Sequence, residues 1–163
     1  MIASLTNLYK AQKELDEEII ANHKISYEST RNKRILALLV EIGEFANTTR
    51  TFKFWSLKGK EKDEVVLDEF ADGLHFLLSL GIDKNYIVDS IEFNDNDLSP
   101  TDNLLATYEL VSKYQKEQSL DNYLKMFISY LINLLKFGYT WDEAEKAYYL
   151  KMKENHHRQE TNY

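Results

Sequence analysis

Residues 63–80 read DEVVLDEFADGLHFLLSL, and the spacing of their apolar positions decides the fold. Stepped at about 100° per residue, Leu67, Phe70, Leu74, Leu77 and Leu78 fall on one side of a helix. Val65, Glu69, Asp72, Phe76 and Leu80 fall on the other. A helix that is apolar on two sides is sandwiched between neighbours. Residues 29–51 repeat the pattern: Ile35, Leu38, Leu39, Ile42 and Phe45 form one face, and Ala37, Val40, Glu41, Glu44 and Thr48 another. Each helix therefore carries two carboxylates at i, i+3 spacing within an otherwise apolar face.

Outward from these two segments, four more helices are predicted. The first covers Ile2 to Asn22, with Leu5, Leu8, Leu15 and Ile19 on one face. Others run from Thr101 to Glu117, from Leu120 to Phe137 and from Thr140 to Arg158. Gly81 and Gly138 stand where glycines end helices, and Thr140 with Glu143 has capping-box spacing. One proline and five glycines leave few breakers. The expectation is an all-α bundle of about six helices in one domain spanning 1–163.

Composition narrows the chemistry. There is no cysteine, which excludes disulfides, thiolate metal sites and a cysteine nucleophile. The net charge is −7 with no long basic run, which argues against direct nucleic-acid binding. Residues 1–10 lack signal-peptide character, and the apolar run Phe127 to Leu135 is too short to span a bilayer, so a cytoplasmic protein is expected. No glycine-rich phosphate loop and no nucleophile elbow is present.

Packed face to face, the two central helices would converge Glu41, Glu44, Glu69 and Asp72. Oxygen ligands in that number suit magnesium or manganese. Half-buried carboxylates cost several kcal/mol each unless neutralised. No lysine or arginine is read on either acid-bearing face, so a bound cation is the expected answer; the alternative is an ion-pair network with lysines from elsewhere. The stretch Phe52-Lys53-Phe54-Trp55-Ser56-Leu57-Lys58 mixes rings and ammonium groups, as a nucleotide site requires, and Trp55 has the best claim within it. Lys151, Asn155 and Arg158 line one side of the last helix, although an ordinary charged helix end has the same composition. Gln12 and Asp16, one turn apart, could form a notch for a base edge, and His75 reads as a core histidine.

Taken together, these elements resemble a known family. Gln12-Lys13-Glu14-Leu15-Asp16, Glu41-Ile42-Gly43-Glu44, Trp55 with Lys58, Glu69 through Phe76, and Lys151 through Asn155 to Arg158-Gln159 are similar to the motifs of the dimeric dUTPases, within the all-α nucleoside triphosphate pyrophosphatases. The resemblance implies hydrolysis of dUTP and dUDP to dUMP, a homodimer, and two or three magnesium ions, with manganese as a substitute. It implies Glu41, Glu44, Glu69 and Asp72 as metal ligands, with Glu41 orienting or deprotonating the attacking water. It further implies Gln12, Asp16 and Trp55 at the uracil, Phe76 under the deoxyribose, and Lys58, Lys151 and Arg158 on the phosphates with Asn155 alongside. The chain departs from the family where Asn162, rather than glycine, precedes Tyr163. Two other readings compete: a pyrophosphatase of this fold acting on dCTP or a damaged nucleotide, and a helical interaction protein with a relict metal site. The acidic segment Asp83 to Asp97 has no place in the catalytic scheme and offers a surface for an additional protein partner.

Overall fold

The computed structural model describes residues 1–161, so the Asn162–Tyr163 departure lies outside the described residues. The order of elements is β1 (Ile2–Ser4), α1 (Thr6–His23), α2 (Tyr27–Thr49), α3 (Asp63–Lys84), β2 (Ser90–Glu92), α4 (Pro100–Lys116), α5 (Leu120–Lys136) and α6 (Trp141–Glu160). Among the described residues, six helices packed as a bundle make the architecture all-α, as expected. Starts are set by side-chain caps. Ser26, Ser99, Ser119 and Thr140 each accept from a backbone N–H one turn into their helix, and the Thr140–Glu143 capping box is formed. Gly138, at φ 80°, follows α5 in the left-handed conformation that glycine adopts most easily.

Two expectations are corrected. The first helix does not start at Ile2. Residues 2–4 form a strand antiparallel to β2, with Ala3 opposite Ile91, and Met1 extends the pairing by donating to the Phe93 carbonyl at 2.8 Å. The third helix does not end at Gly81. It continues to Lys84 and stops at Asn85, which adopts φ 57°. Gly81 is needed for packing instead, because a Cβ there would lie 2.2 Å from the Tyr123 hydroxyl.

Helix α3 is central, packing on α1, α2 and α6, while α4 pairs with α5 and leans on α2. Phe70 of α3 stacks on Tyr130 of α5 with centroids 4.5 Å apart and meets Phe45 of α2 edge-on at 5.7 Å. Two buried tyrosines of α5 satisfy their hydroxyls on carbonyls of α3. Tyr130 donates to Phe70 O at 2.7 Å, and Tyr123 donates to Leu77 O at 3.0 Å. Among the described residues no helix is long and apolar enough to cross a membrane.

Candidate active site

The packing of α2 on α3 brings three of the four expected carboxylates together. Glu41, Glu69 and Asp72 each offer an oxygen within 4.8 Å of the others, and all three side chains are half-buried. Glu44 is exposed and stands outside this trio, although its charge acts on both Glu41 and Glu69. Burial, and then the charges of Asp72, Glu69 and Glu44, push the Glu41 carboxyl up to about 7. Glu69 and Asp72 are raised as well, chiefly by burial. A cluster of hard oxygen donors with unbalanced negative charge fits a divalent cation.

A basic group from elsewhere in the chain does reach this cluster, as the alternative reading had it. Lys151 of α6 is only 5% exposed, and its Nζ lies 2.7 Å from Asp68 Oδ2 and 2.9 Å from Asp72 Oδ2. Arg34, two turns before Glu41 on α2, lines the same cavity as Glu41 and bonds Asp83, Ser79 O and Tyr27 O. Partial neutralisation from within the chain thus coexists with a trio whose carboxyls still sit above their ordinary values.

Beside the trio opens a cavity of about 390 Å³, a size suited to a small ligand. Of the expected residues, Gln12, Asp16, Glu41, Asp72, Phe76, Asn155 and Arg158 line it. Helix α3 contributes Asp72, His75, Phe76 and Ser79 from one side, α1 contributes Gln12 and Asp16, and α6 closes it with Asn155 and Arg158. Arg158 pairs with Glu154 one turn earlier. Asp16 is buried, which raises its pKa, while bonds from Gln12, Ser79 and Tyr27 and the charge of Arg34 oppose that rise.

Trp55 and Lys58 are not in the cavity wall. They sit on the connection after α2, where Trp55 is 65% exposed and meets Phe54 edge-on at 5.1 Å. Lys58 pairs with Glu61 at 3.3 Å on the surface. Asp68, which pairs with Lys151, and Arg34 of the cavity wall went unread in the sequence. Asp68 lies one turn before Asp72 and Arg34 two turns before Glu41, so helical stepping could have flagged both. His75 is buried as expected, but its Nδ1 bonds Gln12, which places it in the site. His156 of α6 lies 2.6 Å from Glu18.

A helical bundle that converges three carboxylates, two of them lining a ligand-sized cavity, is built like an all-α hydrolase that handles charged substrates through a cation. The family model described as dUTPase matches residues 4–163. No curated protein matches the chain. The chain therefore belongs to the dUTPase family, in its all-α, dimeric branch. Membership implies dUTP diphosphatase activity.

Proposed function

We propose that the protein hydrolyses dUTP, and also dUDP, to dUMP in a magnesium-dependent reaction. One observation carries this reading: Glu41 and Asp72 of the acidic trio line the same cavity as the Gln12–Asp16 pair. A base held at one end would thus have its phosphates at the other. Glu41, Glu44, Glu69 and Asp72 would hold the cation, which neutralises phosphate oxygens and acidifies a bound water.

Glu41 orients the attacking water and accepts its proton. Water oxygen bonds to the α-phosphorus, the bond to the bridging oxygen breaks, and pyrophosphate leaves from dUTP, or phosphate from dUDP. Arg158, Lys151 and Lys58, with Asn155, stabilise the leaving group. Gln12 and Asp16 meet the uracil edge, and Phe76 packs under the deoxyribose, where a 2′-hydroxyl would collide. Trp55 completes the base site and Lys58 the phosphate site in a homodimer. The connection that carries them exposes Phe54 at 93% and Trp55 at 65%, apolar surface that a second copy would cover. Within one chain, 1–163 acts as a single catalytic domain.

The test is product release from dUTP, dUDP, dTTP, dCTP and UTP with and without magnesium. Magnesium-dependent turnover of dUTP and dUDP above the others supports the reading. Preference for dCTP or another nucleotide would retain the fold and metal site and discard the uracil assignment. No turnover of any nucleotide would favour the helical interaction protein.

A further inference from the structure

Gln12 is buried in a row of polar side chains whose donors and acceptors can be assigned in order. Its Nε2 donates to Asp16 Oδ1 at 2.9 Å. Its Oε1 lies 2.6 Å from His75 Nδ1 and 3.1 Å from the Tyr148 hydroxyl, which donates to it. Asp16 also accepts from the Tyr27 hydroxyl at 3.1 Å. A carboxylate offers no proton, so the Gln12 amide must turn its NH2 toward Asp16. Its carbonyl is then left facing His75. A carbonyl only accepts, so His75 must carry its proton on Nδ1.

The surroundings of His75 agree with that tautomer. Burial, followed by the positive charge of Lys151, pushes the imidazole down to about 3, so the ring is neutral and holds one proton. His75 Nε2 is buried without a partner in the chain. As a bare lone pair, that is a smaller cost than an orphaned N–H. The ring stacks on Tyr148 with centroids 4.3 Å apart and planes 26° from parallel, which fixes the plane of the imidazole beside Gln12.

We infer that His75 is a positioning residue for base selection: its Nδ1–H bond to the carbonyl end, together with Asp16 at the NH2 end and the Tyr148 hydroxyl, holds the Gln12 amide so that Gln12 offers the bound base an N–H and not a carbonyl. One hydrogen of the amide goes to Asp16. The second remains for a ligand. At the 4-position, a fixed N–H pairs with the carbonyl of uracil and faces another donor in the exocyclic amino group of cytosine. A flipped amide would reverse that preference. This inference rests on the reading of Gln12 as a base contact.

The test uses the full chain with magnesium, comparing kcat/KM for dUTP and dCTP in the wild type, His75→Leu and His75→Asn. Leucine fills the space without a donor, whereas asparagine can return an N–H to the position of Nδ1. The ratio of dUTP to dCTP should fall about tenfold or more in His75→Leu, the loss of one oriented hydrogen bond. The dUTP loss should appear in KM more than in kcat, and His75→Asn should restore most of the ratio. Nitrogen-resolved NMR of wild-type His75 should find the proton on Nδ1 and no protonation through the neutral range. An unchanged ratio in a folded His75→Leu, or a proton on Nε2, would overturn the inference. If His75→Leu does not fold, the NMR result decides. If the wild type hydrolyses neither dUTP nor dUDP, the substrate assignment fails, and the NMR result still decides the His75–Gln12 bond.

Discussion

Replacing Glu41 with glutamine should destroy turnover and at the same time stabilise the metal-free fold. The Glu41 carboxyl rises from its ordinary 4.5 to about 7 inside the acidic trio. A folded-state value above the unfolded one favours the protonated, folded form. That benefit is complete below 4.5 and is lost as pH climbs to 7; above it, the ionised Glu41 is a net cost to folding. The full shift corresponds to about 3 kcal/mol, which half-exposure to solvent cuts to roughly 1–2 kcal/mol. Glutamine keeps the shape and removes the charge. In a chain of this length about 1 kcal/mol moves Tm by roughly 2–4 °C. Glu41→Gln should therefore melt about 2–8 °C above wild type with chelator at about pH 8, and nearly level with it at about pH 5. Magnesium should raise the Tm of the wild type more than that of the variant. Removing the base should cost about 10²–10⁴ in kcat. Thermal melts at both pH values, paired with a pyrophosphate assay, measure all of this. A metal-free variant that melts below wild type at high pH would refute the electrostatic argument, and near-native activity would refute Glu41 as the base.

Lys151→Met should lower metal-free stability by about 2–4 kcal/mol, because it strands Asp72 of the trio and the neighbouring Asp68. Denaturant melts should show magnesium recovering part of that loss; an equal loss with and without magnesium would remove the ion pair as its cause. Gly73→Ala should cost about 2–4 kcal/mol, since its Cβ would stand 2.1 Å from the Tyr130 hydroxyl, and adding Tyr130→Phe should return part of it. Full additivity of the two changes in urea melts would contradict that clash. Phe76→Ala should relax sugar selection, raising UTP turnover relative to dUTP by about tenfold. An unchanged ratio in competition assays would place the 2′ position elsewhere.

Most helices were legible in the sequence because their signals are local. Apolar periodicity, the Thr140–Glu143 box and Gly138 lie within a few residues of the structure they specify. The paired acids were legible for the same reason, being spaced along single helices. What escaped depends on partners far along the chain. Residues 2–4 carry too few positions to show a period and become a strand only because Ser90–Glu92 lies beside them. Gly81 looked like a helix end, since nothing nearby announces the Tyr123 hydroxyl that needs its missing side chain. Lys151 could be placed on a face of α6, but not against Asp72, because α6 and α3 meet only through tertiary packing. Arg34 was within reach. It falls on the Glu41 face by helical stepping, and that face was read too narrowly.

Helix α3 explains why the acidic trio and the base pocket belong to one rigid frame. Its cavity-facing residues Asp72, His75, Phe76 and Ser79 follow i, i+3, i+4, i+7 spacing, so they share a side. At about 1.5 Å per residue, the acid at one end and Ser79 at the other stand roughly 10 Å apart along the axis. Backbone hydrogen bonds fix that separation. Against other sides of the helix press Tyr130 and Tyr123, seated at Gly73 and Gly81, with hydroxyls bonded to Phe70 O and Leu77 O. These contacts pin α3 at two levels, one beside the acids and one just past Ser79. A side chain on either glycine would shift the helix at that level and disturb the site in register with it. Gly73→Ala should therefore impair cation binding more than base selection, and Gly81→Ala the reverse. The glycines set the geometry of the site without touching any ligand, by letting two tyrosines hold the helix that carries it.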